Sequence, residues 1–170
     1  MVINGSEVEI VTQFKFLGVT ISNDLKWEIN TDQIVIKAQQ RLYFMRRLRS
    51  FCVSQTLLVN FYRAVVESVL TQSFTVWYGS LTVDDRRRLD RIVRTASLIA
   101  GCELPTLDGL YRERVLKRAR AIIDDDSHPA NNLFTMLPHE LRYSSIKTRT
   151  NRFLHSFYPT AVRTLNECDE

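Results

Sequence analysis

Long apolar stretches are missing from this chain: no run of about 18 apolar residues occurs, and no signal-type opening stands at its start. Nothing in it reads as spanning a membrane or directing secretion, and the expected setting is intracellular, with nucleus or cytoplasm left open. Glycine and proline are scarce as well, at five and four in 170 residues, and long stretches lack both. That is the punctuation of a helical chain rather than a many-stranded one. Three cysteines, Cys52, Cys102 and Cys168, stand too far apart for a disulfide framework or a CxxC zinc half-site, and are expected to be ordinary reduced thiols. The sequence also lacks a glycine-rich phosphate loop, a Gly-x-Ser-x-Gly elbow and a dinucleotide fingerprint. His139-Glu140 opens like a zincin motif, but Tyr143 stands where the second histidine belongs. Asp124-Asp125-Asp126 could hold magnesium on a tight hairpin, yet it falls at the end of an expected helix, where solvated carboxylates are the plainer reading. No catalytic residue, no metal ligand and no cofactor is therefore expected.

What the chain does have is apolar content of 45%, enough for a real core, and a segregated charge pattern within a net charge of +4. Residues 1–32 lean acidic, with Glu7, Glu9, Asp24, Glu28 and Asp32 against Lys15 and Lys26. Residues 33–66 then carry Lys37, Arg41, Arg46, Arg47, Arg49 and Arg63 without one acid, and residues 141–166 carry Arg142, Lys147, Arg149, Arg152 and Arg163 without one. Such segregation is the footprint of a phosphate-binding surface, and a solvated Arg-rich helix face would look the same.

The expected fold is mainly α, a helical bundle with a short N-terminal β-hairpin. Val8-Glu-Ile-Val11 and Phe14 to Ile21 read as strands after an Asn4-Gly5 turn, with Gly18 permitting a bulge or close backbone approach. Asn30 is the expected N-cap of a first helix, with Ile29 and Ile34 as a staple and Ile34, Ala38, Leu42, Met45 and Leu48 inward. Trp27 before it reads as a core anchor. A second helix, capped by Ser54 and reaching Thr71, carries Leu57, Leu58, Phe61, Tyr62, Val65, Val66, Val69 and Leu70, a face wide enough for more than one neighbour. A third, from Thr82 or Asp84 through Ala100, places Arg87, Arg91 and Arg94 on one outer face and ends at Gly101. A fourth runs from about Asp108 to Asp124, a short one from Asn132 to Leu137, and a basic, partly irregular tail follows. Three segments result: 1–27, 28–126 and 127–170.

Phe14-Lys-Phe-Leu-Gly-Val-Thr-Ile-Ser22, with Leu25-Lys-Trp27 and an Arg-rich helix after it, resembles the end of the palm and the start of the thumb in reverse transcriptases of non-LTR retrotransposons. Further similarity runs through Tyr43 to Gly79, Leu81 to Gly101, Asp126-Ser-His-Pro129, Leu137-Pro138, Lys147-Thr-Arg149 and Ser156-Phe-Tyr-Pro159. The resemblance implies that Phe16, Leu17 and Gly18 correspond to a primer grip, and that the metal-binding carboxylates of the palm precede residue 1. The parent family is an RNA-directed DNA polymerase, and this chain alone would be no enzyme. The family often has Ser-Gly-Arg-Arg after Leu-Pro, where this chain has His139-Glu-Leu-Arg142. Residues from Ile34 to about Trp77 also look like the segment named for the N-terminal domain of alkylated DNA repair protein AlkB homologue eight. That name implies a 2-oxoglutarate and iron dioxygenase joined to a tRNA methyltransferase, whose site residues are absent here.

Two functional readings follow, beside a third, an enzyme subunit carrying the AlkB-like segment, which would need retained iron and 2-oxoglutarate turnover. In the first, the chain is a non-catalytic nucleic-acid-binding remnant of a reverse transcriptase, holding phosphates of RNA, DNA or an RNA/DNA hybrid with Lys37, Arg41, Arg47, Arg87, Arg91 and Arg94. In the second, it is a protein-interaction module whose wide apolar helix docks a missing palm domain or another protein. A transposon fragment with no cellular function is the bland alternative.

Overall fold

The computed structural model describes residues 2–3, 5–7, 9–139 and 141–168, so Asn4, Val8 and Glu140 of the motifs above lie outside the described residues. In chain order the elements are β1 Val2–Ile3, β2 Ser6–Glu7, β3 Gln13–Phe16, β4 Val19–Ser22, α1 Glu28–Ser50, α2 Gln55–Phe61, a π-helical turn Tyr62–Glu67, α3 Ser68–Leu70 and α4 Phe74–Trp77. A 3-10 turn Tyr78–Ser80 follows, then α5 Val83–Ala100, α6 Leu107–Ile123, a 3-10 turn Asn131–Leu133, α7 Asn151–Leu154 and α8 Phe157–Cys168. The chain is mainly helical with an N-terminal antiparallel hairpin, as its composition led us to expect. Contacts divide it into two compact units interleaved in sequence: Met1–Gln72 with Val83–Cys102, and Ser73–Thr82 with Glu103–Glu170.

In the first unit, β3 and β4 pair antiparallel with Phe16 opposite Val19. Leu17 and Gly18 close them with φ of 47° and 86°. Two consecutive positive φ angles define the tight hairpin turn whose twist matches that of the strands it joins. The expected strand over residues 8–11 is corrected: described residues 9–11 are not strand. The pairing runs out at Thr12, whose carbonyl accepts from Asn23 N–H at 2.9 Å.

β4 buries Val19, Thr20 and Ser22, whereas β3 is exposed along its whole length. An isolated hairpin is marginal in water, and here α1 supplies the missing support. Asn30 is the hinge of that contact. It is not the N-cap of α1, which begins at Glu28 after Trp27, but a buried residue of the first turn whose Oδ1 accepts from Thr20 N–H at 3.1 Å. Burying a backbone donor requires such a partner, and this demand takes the side chain away from capping. Ile29 is correspondingly exposed rather than stapled to Ile34. Trp27 is half-buried.

α1 packs on α5, the apolar set Ile34, Ala38, Leu42 and Met45 being buried on one and Leu89, Ile92, Val93 and Ala96 on the other. Arg88 of α5 ties the pair together at the rim, donating to Asp32 of α1 and, at 3.2 Å, to Asp85 of its own helix. Both carboxylates raise the guanidinium's affinity for its proton, Asp32 most of all.

The expected continuous second helix is interrupted. Leu58, Tyr62, Val66 and Leu70 are all fully buried, at a constant spacing of four. In an α-helix of 3.6 residues per turn, that spacing drifts around the axis by about 40° a step. The π turn at Tyr62–Glu67 is wider and keeps the four residues on one face. Leu57 falls outside that face and is exposed. Gly101, with φ of 74°, ends α5, and Gln55 Nε2 donates to the carbonyls of Ala100 and Gly101 at 3.2 and 2.8 Å.

The second unit is organised on an aromatic cluster. Phe74, Trp77, Tyr78 and Tyr111 are buried with ring centroids 4.2 Å apart for Phe74–Tyr78 and 5.1 Å for Tyr78–Tyr111. Thr106 caps α6 by accepting from Gly109 N–H at 3.2 Å, and Asn131 Nδ2 closes its other end on the Ile122 and Ile123 carbonyls. The helix expected over 132–137 is only the 3-10 turn, because Met136 pairs with Tyr143 and draws the segment into extended backbone. The tail then ends in α8, which packs on α6 through Ala161, Val162 and Leu165. The Asn166 amide clasps the Tyr143 backbone with two hydrogen bonds.

Gly18→Ala will lower the urea midpoint of the chain. The left-handed backbone alone costs about 1–2 kcal/mol, and a Cβ there would overlap the Gln72 side-chain amide, which donates to Leu17 O at 3.0 Å. Adding Gln72→Ala will restore only the overlap part. At Asp24, hydrogen bonds from Ser22 Oγ and from Lys26 N–H hold the carboxyl down to about 2, against 3.8 when free. Since the folded value lies below the unfolded one, this contribution is complete above 3.8 and is lost as pH falls toward 2. An acid titration of stability will therefore lose that limb in Asp24→Asn.

Candidate nucleic-acid interface

The residues proposed from the sequence for a primer grip and for nucleic-acid binding all belong to the first unit, but they do not share one groove. They form three groups.

The first is the hairpin tip with one flank of α1. Gly18 and Val19 from the hairpin, Asn30, Gln33, Ile34, Lys37 and Arg41 from α1, and Val69 and Gln72 line a cleft of about 130 Å³. Phe16 and Leu17 stand outside it, 57% and 78% exposed. A leucine at φ of 47° is held in a backbone conformation that its Cβ opposes, with no burial in return. Lys37 is half-buried and makes no ion pair among the described residues. Arg41 is half-buried too, and its Nη1 donates to the Val65 carbonyl in the π turn at 2.5 Å. Sequence had given Arg41 a phosphate-binding role, and the fold gives it a structural bond as well.

The second group is the outer face of α1. Tyr43 and Phe44 are exposed and meet edge to face at 5.6 Å. Arg47 lies over the exposed Phe51 ring at 5.3 Å. Exposed rings interleaved with cations are what a strand of bases and phosphates can stack on and pair with. Spacing marked the cation Arg47 but not the rings, which sequence alone could not tell from core.

The third group is the outer face of α5, where Arg87, Arg91 and Arg94 are all exposed. Arg87 pairs with Asp84 at 3.2 Å. Arg91 also lines a second cleft, of about 400 Å³, with Asp32, Val35, Ile36, Gln39, Arg88 and Ile92. The sequence reading passed over Arg88 and Gln72 entirely. No local spacing could have found them, since Arg88 meets Asp32 across 56 positions and Gln72 meets Leu17 across 55.

Asp124, Asp125 and Asp126 are exposed beyond the end of α6, where Asp125 accepts from Ser127 Oγ at 2.6 Å. That bond and the Ser127 N–H hold its carboxyl below the usual range. Among the described residues, no group of three or more His, Cys, Asp or Glu is placed to hold a metal ion.

Compared with known proteins, residues 27–68 match the family described as alkylated DNA repair protein alkB homolog 8, N-terminal. The match covers α1, α2 and the whole π turn, and is a minor part of the chain. No curated protein matches. No solved structure matches either. The matched segment contains no histidine, and its acids are Glu28, Asp32 and Glu67 alone, with Asp32 engaged by Arg88. That donor set does not fit an iron centre. None of these comparisons supports the likeness to a reverse transcriptase.

Arg41→Ala will cost about 1–3 kcal/mol, as expected for stripping a charged donor from a part-buried carbonyl. Arg47→Ala, at an exposed position, will stay within about 0.5 kcal/mol. Equal urea midpoints for the two variants would overturn the structural role of Arg41.

Proposed function

We propose that this chain is a non-catalytic nucleic-acid-binding domain related to the palm end and thumb of a retrotransposon reverse transcriptase. The observation that carries the reading is the meeting of two groups remote in sequence. The tip residue Gly18 and the cations Lys37 and Arg41 line one cleft without a carboxylate. Exposed Phe16 and Leu17 stand beside it, and exposed Tyr43, Phe44, Arg47 and Phe51 follow along α1. Cations hold phosphates without reading bases, and rings stack on any base, so the expected ligand is a single strand or an RNA/DNA hybrid bound with little sequence preference. The backbone of Leu17 supports the same reading, since local strain kept at an exposed apolar tip serves contact better than stability.

A second reading is an interaction module carrying a segment like the alkB homolog 8 N-terminal family, and one observation favours it. β3 is exposed along its length and pairs only with β4 among the described residues, leaving Phe14 and Phe16 beside an open strand edge. The face from Leu58 to Leu70, by contrast, is fully buried.

The deciding experiment is fluorescence anisotropy of a labelled RNA/DNA hybrid and of each single strand, at low and physiological salt. Arg47→Glu with Arg91→Glu and Arg94→Glu leaves Arg41 and the fold intact. The reading expects binding that weakens steeply with salt and about tenfold or more in the triple variant. Binding indifferent to both, or none by folded protein, would sink it in favour of the interaction module.

A further inference from the structure

The cleft between the hairpin tip and α1 has one feature that a merely solvated crevice lacks. Asn30 is 2% exposed and lines it, yet its Nδ2 has no hydrogen-bond partner. The orientation of that amide is set by its neighbour, since Thr20 N–H can only face the oxygen, at 3.1 Å. A buried N–H left without an acceptor costs free energy comparable to a lost hydrogen bond. Around it stand further donors and no acid. Gln33 Oε1 is occupied by Thr20 Oγ1 at 2.8 Å, leaving its amide nitrogen to donate. Lys37 makes no ion pair among the described residues, and Arg41 uses Nη1 on Val65 O. Opposite them the wall is Gly18 and Gln72, the Gln72 side-chain amide filling the space that a Cβ on Gly18 would take.

We propose that this cleft is a binding site for a single phosphate group, held by Lys37, Arg41, Asn30 and Gln33. Its volume of about 130 Å³ exceeds what one water requires. It falls short of the roughly 300–1,000 Å³ of pockets that enclose whole organic ligands. A tetrahedral oxyanion fits both limits: it is small, it accepts several hydrogen bonds at once, and it supplies the charge that the two cations lack. The carrier of the phosphate is either free inorganic phosphate or the end or backbone of a nucleic-acid strand, and for the second the inference rests on the reading above.

The test is an NMR titration of the isotope-labelled full chain, following the Asn30 side-chain amide. Sodium phosphate is compared with sodium chloride at matched ionic strength, and then a short oligonucleotide with a 5′-phosphate with the same oligonucleotide without one. The expected result is a saturable shift of the Asn30 amide with phosphate and not with chloride. Lys37→Gln, at a half-buried position, should keep its thermal melt in phosphate-free buffer and weaken the phosphate affinity by about tenfold or more. Lys37→Arg should retain most of it. An Asn30 amide unmoved by phosphate, or moved equally in Lys37→Gln, would overturn the site. Strand binding without any Asn30 response overturns the cleft and leaves the nucleic-acid reading intact. Phosphate binding without strand binding keeps the cleft and removes that reading.

Discussion

The hydrogen bond from Thr20 N–H to Asn30 Oδ1 carries more of this structure than its size suggests. Two strands joined by a tight turn do not persist alone in water. They persist here because β4 lays Val19, Thr20 and Ser22 against α1, and that contact buries a backbone donor which Asn30 must satisfy. Once the amide oxygen is committed, its nitrogen is committed too, and it lines the cleft. The same bond thus anchors the hairpin on the first turn of α1 and leaves a buried donor on a residue that lines the cleft with Lys37. Asp24 and the bond from Gln72 to Leu17 hold the two ends of the hairpin in that position.

A second constraint is the wide turn at Tyr62–Glu67. It lets Leu58, Tyr62, Val66 and Leu70 share one buried face, and its Val65 carbonyl takes the Arg41 guanidinium. Cations on this unit therefore divide by task. Arg88 is spent on Asp32 and Asp85, and Arg41 serves both the turn and the cleft, whereas Arg47, Arg91 and Arg94 are exposed and make no ion pair among the described residues. Charge counting cannot separate these tasks, since all are arginines of amphipathic helices. Position relative to a carbonyl or a carboxylate on another element decides which are free to meet a ligand.

Much of the architecture was written locally. Helical spacing in Ile34, Ala38, Leu42 and Met45, and in Leu89, Ile92, Val93 and Ala96, identified core faces, because a 3.6-residue period puts such residues on one side whatever the partner. Gly101 as a stop and Ser54 at the start of α2 were legible for the same reason, since backbone angle and terminal position are properties of a few neighbouring residues. The cationic character of α1 and of the outer face of α5 was legible too. Tertiary structure alone decided what depends on partners distant in sequence. Asn30 left its capping role for a strand 10 positions away, Arg41 found a carbonyl 24 positions on, and Gly18 came to face Gln72. A π turn replaced a plain helix because four buried residues had to meet their neighbours together. Periodicity sums interactions along the chain, whereas a cleft is made by side chains that only folding brings within a few ångströms.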